Sequence, residues 1–109
     1  MDGIGRLGVL DRGHPRPDVR VRPGDVLIVG RDGAADVCLD DPQVSRRHAT
    51  VAIEAGGWVV SDLGATNSTR VVDPSGAARI VRGTSSRMPF GQVALGDSVL
   101  TLYPLEKRG

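Results

Sequence analysis

The sequence contains almost none of the residues that cross-link small proteins or bind metals. Cys38 is the only cysteine in 109 residues, and the two histidines are His14 and His48. One cysteine forms no internal disulfide, and these three scattered side chains lack the spacing of a metal site. The sequence therefore predicts a fold that its core alone stabilises, with no metal and no cofactor, in a reducing compartment.

Aromatic residues and unbalanced charge are scarce as well. The chain has three aromatic residues, and its 14 Lys+Arg against 13 Asp+Glu leave a formal net charge of +1. A protein that binds nucleic acid through a basic field and stacked bases needs more of both, so we expect no nucleic-acid partner. No run approaches the ~20 apolar residues of a membrane span, and the amino terminus has no signal-sequence pattern. We expect a cytoplasmic chain with no membrane span.

Turn-forming residues, in contrast, are abundant. Fifteen glycines and seven prolines leave few windows for a helix of about three turns. Short apolar or alternating runs lie between them, as in an all-β sandwich or barrel. The predicted strands cover residues 4–10, 19–21, 26–29, 37–39, 49–54, 58–62, 69–72, 79–81 and 98–103. We expect one domain over residues 1–105 and a frayed tail over 106–109.

The longest window without Gly or Pro, residues 43–55, is the one place that suits a helix. A helix would put Arg46 and Arg47 at the positive end of its dipole and Glu54 near the negative end, which is unfavourable. As a strand, residues 49–54 place alternate side chains on opposite faces. We therefore expect a strand.

The two strands at 49–54 and 58–62 are joined by Ala55-Gly56-Gly57, a connection typical of a β-hairpin. Antiparallel pairing brings the start of the first strand beside the end of the second. Residues 45–48 should therefore lie next to residues 63–67.

Two other segments are predicted to be irregular. Residues 12–17 contain two prolines and read as a loop, and residues 73–91 read as a long, partly mobile excursion around one short strand. Gly96-Asp97 then introduces the last strand.

Residues with the chemistry for binding an anion occur in three separate loops. A dianionic phosphate calls for a forked cation, hydroxyl donors and backbone amides that converge from different segments. Arg31, Ser45, Arg46 and Thr66 form such a set if their loops meet.

An enzyme is the remote alternative, and it would be a hydrolase that uses Ser45 or Cys38. The chain has no Gly-x-Ser-x-Gly pattern, and the three-residue spacing of Ser45 and His48 does not by itself align a base with a hydroxyl. Cys38 lies between Val37 and Leu39, so we expect its side chain to face the core.

The order of three motifs resembles the forkhead-associated (FHA) domain family. Gly30-Arg31 comes first, Ser45-Arg46-Arg47-His48 follows, and Thr66-Asn67 comes last, with apolar strands between them. The resemblance implies an FHA-like β-sandwich of about eleven mostly antiparallel strands, with ligand-binding loops at one apex. It also implies a signalling adaptor, not an enzyme, that binds phosphothreonine in a partner protein downstream of a Ser/Thr protein kinase.

Carried over position by position, the resemblance assigns phosphate contacts to four residues: Arg31, Ser45, Arg46 and Thr66. It assigns Asn67 to the peptide backbone, and Gly30 and His48 to structural support of the site.

One position departs from the family pattern, since Ser68 stands where the family usually has glycine. If the turn requires a positive φ, Ser68 carries a cost of about 1 kcal/mol; otherwise the loop follows a different path. The same departure suits an alternative function, a phosphorylation-independent interaction module of the same fold. Gln43 and residues 33–35 are candidate contacts for peptide residues that flank the phosphothreonine.

Overall fold

The computed structural model describes residues 3–106, and these residues form eleven β-strands. The strands are β1 (Gly5–Asp11), β2 (His14–Val21), β3 (Val26–Gly30), β4 (Val37–Cys38), β5 (Ala49–Glu54), β6 (Gly57–Asp62), β7 (Thr69–Val72), β8 (Ala78–Val81), β9 (Ser85–Met88), β10 (Gly91–Leu95) and β11 (Ser98–Leu102). Among residues 3–106, no helix has the length and apolar character that crossing a membrane requires. The predicted all-β class is confirmed.

The strands form two sheets whose inner faces share one core. The six-stranded sheet has the order β2-β1-β11-β10-β7-β8, and the five-stranded sheet has the order β4-β3-β5-β6-β9. The short β3–β4 pair is parallel, and the other strand pairs are antiparallel. This arrangement confirms the expected sandwich of mostly antiparallel strands.

Large side chains from both sheets fill the core. Trp58, Leu7 and Leu100 have no exposed surface, and burying a side chain of this size contributes about 1.5–3 kcal/mol. The indole Nε1 of Trp58 donates to the Tyr103 carbonyl at 2.8 Å, so its polar atom is paired. The indole also packs against Gly5, where an added Cβ would lie 2.5 Å from the ring. Trp58 on β6 thus joins the five-stranded sheet to β1 of the other.

The loop predicted at residues 12–17 is wrong, because β2 begins at His14 and contains Pro15 and Pro17. β2 lies at the edge of its sheet and pairs only with β1. Proline is tolerated in an edge strand because the missing N–H can face solvent. Arg12 and Gly13, with φ of 49° and 79°, form the tight turn before it.

The prediction for residues 73–91 is corrected in a similar way. The segment contains two strands, β8 and β9, where one was expected, and β10 begins at its end. β9 has the sequence Ser-Ser-Arg-Met and buries only alternate residues, so it carries no apolar run. β10 is also absent from the predicted strands, and it lies between β7 and β11 in the sheet.

The predicted hairpin is confirmed, and its turn is one residue shorter than expected. Gly57 belongs to β6, so Ala55 and Gly56 form the turn, with φ of 51° and 77°. Two consecutive positive φ angles match the right-handed twist of the flanking strands. The Leu63 N–H donates to the His48 carbonyl at 3.0 Å, which places the two adjoining loops side by side as expected.

The two ends of the described chain are also paired. The N–H of Ile4 donates to the Glu106 carbonyl, and the N–H of Glu106 donates to the Ile4 carbonyl, each at 3.0 Å. Glu106, where the predicted frayed tail begins, is thus paired with Ile4. Residues 107–109 of that prediction lie outside the described residues.

Candidate functional site

Three loops lie at one end of the five-stranded sheet. Residues 31–36 follow β3, residues 39–48 precede β5, and residues 63–68 follow β6. Because β3 and β6 both run antiparallel to β5, the end of each lies beside the start of β5. We call these three loops the loop apex.

The first two loops are in direct contact at Gly30. The Arg31 N–H donates to the Ser45 carbonyl at 3.0 Å, and the Asp32 N–H donates to the Arg46 carbonyl at 3.1 Å. A Cβ added at Gly30 would lie 1.9 Å from the Arg46 carbonyl oxygen. Only glycine permits this approach, so the contact between the two loops requires a glycine at position 30.

Arg31, Ser45 and Thr66 converge from three different loops. Arg31 is exposed, and its Nε donates to the Val44 carbonyl at 3.1 Å, so one edge of the guanidinium is held beside the Ser45 loop. The Thr66 N–H donates to Ser45 Oγ at 3.2 Å. Ser45 Oγ thus accepts from the third loop and keeps its own proton for a further acceptor. The hydroxyl and the cation needed for an anion are on one surface.

Arg46 takes part in this cluster through its main chain, while its side chain is exposed. Within residues 3–106, the salt bridges of the structure involve neither Arg31 nor Arg46. Both guanidinium groups are thus uncompensated by protein carboxylates.

His48 fastens the loop that carries Ser45. The Ser45 N–H donates to His48 Nδ1 at 3.1 Å, and the imidazole has no exposed surface. Burial lowers the pKa of His48, although the negative charges of Asp62 and Asp41 and the Asn67 carbonyl act in the opposite direction. The ring is therefore neutral near pH 7, with its proton on Nε2, and Nδ1 is a fixed acceptor for the loop.

Asp62 organises the third loop and was not singled out from the sequence. Its carboxylate accepts from Thr69 Oγ1 at 2.7 Å, from the Gly64 N–H at 3.0 Å and from the Gly83 N–H at 3.1 Å. Burial raises the pKa of Asp62, but these hydrogen bonds and His48 outweigh it and lower the pKa below its ordinary value. The Asp-x-Gly spacing is a signal for such a side-chain turn.

Asp41 organises the second loop in the same way, and it was not singled out from the sequence either. Its fully buried carboxylate accepts from the Gln43 N–H at 2.9 Å, and from the Asp97 N–H and Ser98 Oγ at 2.8 Å each. Burial raises the pKa of Asp41, yet these donors, together with the charge of Arg12, lower it overall. The Ser45 loop is thus anchored to the β10–β11 turn.

Asn67 connects the second and third loops. Its side-chain Nδ2 donates to the Gln43 carbonyl at 2.7 Å, and the side chain is exposed. Ser68 does not occupy the strained conformation considered above, because only Arg12 and Ala55 among the described non-glycine residues have a positive φ. The loop follows the other path, with Gly64 at a φ of 81°.

Cys38 is exposed, which corrects the expectation that it faces the core. β4 is a two-residue edge strand in which Val37 points inward, so the next residue points outward. Cys38 Sγ lies 3.8 Å from the Arg31 carbonyl. Within the described part of the chain, no three His, Cys, Asp or Glu side chains are placed to hold a metal ion.

Comparisons with known proteins cover more than half of the chain. The family model described as FHA domain matches residues 27–86. FhaB of Mycobacterium tuberculosis is 32% identical over 79 residues, which cover 72% of this chain and 47% of FhaB. The chain thus spans about half the length of that relative.

Two solved structures show the same fold. The crystal structure of the FHA domain of CT664 from Chlamydia trachomatis has a TM-score of 0.77 and 28% identity, and the match covers 96% of this chain and 99% of that one. The second domain was solved in a structural and functional analysis of phosphothreonine-dependent FHA domain interactions. It has a TM-score of 0.70 and 24% identity, and the match covers 94% of this chain and 99% of that one.

Proposed function

The chain belongs to the FHA domain family, and from that premise we propose that it recognises phosphothreonine in a partner protein. In this proposal it is a phosphopeptide-binding module, a signalling adaptor that acts in the cytoplasm downstream of a Ser/Thr protein kinase. The fold neighbour studied for phosphothreonine-dependent interactions is consistent with this role.

The convergence of Arg31, Ser45 and Thr66 carries the proposal. The free face of the guanidinium and the Ser45 hydroxyl supply a forked cation and a neutral donor, which are the groups that suit a phosphate with about −1.5 to −2 charges. We assign phosphate contacts to these residues and to Arg46. Asn67 lies at the rim of the same surface, and we assign it to the peptide backbone.

The supporting residues act by holding this surface rigid. Gly30 allows the first two loops to touch, and His48 holds the Ser45 loop. Charge-assisted hydrogen bonds contribute about 1.5–3 kcal/mol each, and binding must offset the ordering of an extended peptide. We therefore expect micromolar affinity, about −8 kcal/mol, for a phosphothreonine peptide.

The test is Arg31→Ala, measured by isothermal titration calorimetry with a phosphothreonine peptide selected from a library. We expect a loss of about 2–5 kcal/mol, because the substitution removes one member of a hydrogen-bonded charge pair. Arg22→Ala is the matched control, since Arg22 is exposed just after β2, whose end pairs with the start of β1, away from the loop apex. An affinity of the Arg31 variant within twofold of wild type would remove Arg31 from the site.

Two other functions predict different results. A phosphorylation-independent module would bind phosphorylated and plain peptides equally. A hydrolase would turn over a substrate, but His48 Nδ1 accepts the Ser45 backbone N–H and not its hydroxyl. That geometry does not supply a base to Ser45.

A further inference from the structure

Each sheet ends on two edge strands, and these edges differ in how they are protected. β2 and β8 flank the six-stranded sheet, and β4 and β9 flank the five-stranded sheet. An open edge exposes unpaired N–H and C=O groups, and proline or a very short strand blunts it. β2 contains Pro15 and Pro17, and β4 has two residues. β8 and β9 have four residues each and no proline, so their backbone can pair with a further strand.

β8 and β9 lie next to each other, although they belong to different sheets. The guanidinium Nη2 of Arg79 on β8 donates to Ser86 Oγ on β9 at 2.6 Å. A groove with a volume of about 380 Å³ lies between the two strands, and its walls include Ile80 of β8 and both Ser85 and Arg87 of β9. We call it the edge groove.

The register of β9 shows which of its backbone groups are free. The Asp62 N–H donates to the Thr84 carbonyl at 3.1 Å, next to the pair formed by Ser61 and Ser85. Backbone groups of an antiparallel strand point alternately toward and away from its partner, so Thr84 and every second residue after it face β6. Ser85 and Arg87 therefore present their N–H and C=O groups at the open edge, where an added strand can bond to them.

Arginines surround the edge groove. Arg79 and Arg87 line it, and Arg82 is exposed in the connection between β8 and β9. The salt bridges found within residues 3–106 include neither Arg79 nor Arg82. Arg87 pairs with Glu54 at 3.2 Å, but both side chains are more than half exposed, and such a pair contributes little. The groove thus has an excess of positive charge, which attracts a partner that carries carboxylates.

This charge favours a partner segment over a second copy of the chain. Two copies joined edge to edge at β9 would place the arginines of one copy close to those of the other, and like charges on neighbouring strands are destabilising. An extended acidic segment meets no such repulsion. The occupant that fits the edge groove is therefore acidic and extended.

The two lining arginines lie on opposite sides of the β9 edge. Arg87 is one of the exposed residues in the alternating pattern of β9 and points away from the core, whereas Arg79 bonds to Ser86, which points inward. Successive side chains of a strand point to opposite faces. Two adjacent carboxylates on an added strand would therefore each face one arginine.

We propose that the open edge of β9 binds an extended acidic segment of a partner protein as an additional β-strand. The backbone groups of Ser85 and Arg87 supply the pairing, and Arg79 and Arg87 select carboxylates. Runs of like charge are typically disordered on their own, so the segment becomes ordered when it binds. This contact requires no phosphate, and it goes beyond the proposed function.

The experiment follows the backbone amide signals of the ¹⁵N-labelled chain by NMR. The probe is the unphosphorylated peptide Gly-Glu-Asp-Val-Glu-Asp-Val-Glu-Asp-Gly. We expect the largest changes at the amides of Ser85 and Arg87, and none with a peptide in which Lys replaces every Glu and Asp. Added salt should raise the Kd of the acidic peptide, because it screens exposed charges.

Arg79→Glu and Arg87→Glu should each raise this Kd about fivefold, because a repulsion replaces an exposed ion pair. Ser85→Pro should abolish binding, since it removes an N–H that faces the open edge, a position where proline is tolerated. Arg22→Glu is the matched control, because Arg22 is exposed and does not line the edge groove. Its Kd should equal that of the wild type.

Three results would overturn this inference: unchanged signals at Ser85 and Arg87 with millimolar acidic peptide, equal changes with the Lys peptide, or binding that survives both charge reversals. Changes confined to Arg31 and Ser45 would assign the peptide to the loop apex and overturn it as well. A concentration-dependent dimer in sedimentation that Ser85→Pro abolishes would assign the edge to a second copy, with the same consequence. Because the probe carries no phosphate, failure here leaves the proposed function intact, and failure of phosphothreonine binding leaves this inference intact.

Discussion

Individual buried polar residues explain how three loops keep one geometry. Asp41, His48 and Asp62 are all at most 8% exposed, and each hydrogen-bonds to backbone N–H groups of the loop apex. A buried polar group that lost its partners would cost about 1–3 kcal/mol, so alternative loop conformations are disfavoured. The residues that we assign to phosphate binding are therefore positioned by buried polar residues.

The lowered pKa of His48 makes stability depend on pH in a defined direction. The unfolded chain binds a proton near pH 6.5, and the folded chain binds it only at lower pH. The stabilisation by neutral His48 is thus complete above pH 6.5 and is lost as pH falls below that value. We expect the free energy of unfolding to decrease from pH 7.5 to 5, by no more than about 1.4 kcal/mol per pH unit.

Urea denaturation of His48→Asn tests this, since the Asn oxygen can replace Nδ1 as the acceptor but does not titrate. The decrease between pH 7.5 and 5 should become smaller in this variant. His14→Asn is the control, because His14 is exposed on β2. Because the pKa values of Asp41 and Asp62 are lowered, protonation of these two carboxylates changes the free energy of unfolding only at pH values below this range. Equal slopes in wild type and His48→Asn would contradict the assignment.

At the scale of single elements, the β5–β6 hairpin determines which loops become neighbours. Its register pairs Ala49 with Asp62, so Ser45 and Thr66 are brought to the same end of the sheet. The turn at the other end contains a strained residue, because Ala55 has a φ of 51°. The hairpin therefore forms despite a local cost at its turn.

Replacing Ala55 by Asn should relieve this cost. A left-handed conformation costs a residue with a Cβ about 1–2 kcal/mol, whereas Asn tolerates it and Asn-Gly is the preferred pair for this turn. We expect the free energy of unfolding to rise by about 0.5–1 kcal/mol in guanidinium chloride denaturation. Ala77→Asn is the control, since Ala77 is exposed and lies outside the left-handed region. An equal gain in both variants would attribute the effect to composition and not to the turn.

At the scale of the whole molecule, binding and folding should be linked. The loop apex takes residues from three loops that are ordered only in the folded sandwich, so a ligand of the apex stabilises the folded state. Trp58 reports folding without contact with the apex, because it is buried near the hairpin turn while the apex lies beyond Asp62, at the other end of β6.

A phosphothreonine peptide at 100 times its Kd should stabilise the domain by about 2.7 kcal/mol. For a domain of this size, that corresponds to an increase in Tm of roughly 10 °C, measured by Trp58 fluorescence. The same peptide without phosphate should leave Tm unchanged. At the same concentration, the phosphopeptide should raise the Tm of Arg31→Ala by much less than that of the wild type, because a higher Kd reduces the stabilisation. An equal rise with the unphosphorylated peptide would point to the phosphorylation-independent function.

Much of the fold was determined by local sequence patterns. Frequent Gly and Pro exclude long helices, alternating residues predict strands such as β5, and Gly56 predicts the hairpin turn. The motifs that carry the FHA resemblance could also be read directly from the sequence. The geometry of one hairpin, in addition, already places Ser45 beside the loop of Thr66. These features depend on neighbours along the chain or on a single pairing.

Only the tertiary structure decided the remaining features. β2 accepts two prolines because it lies at a sheet edge, and β10 is a strand because β7 and β11 pair with it on both sides. Cys38 faces outward because β4 is a short edge strand, and Asp41 reaches the β10–β11 turn 56 residues away. Such contacts join segments that are distant in sequence, so no local pattern encodes them, and their energy appears only when both sheets are assembled.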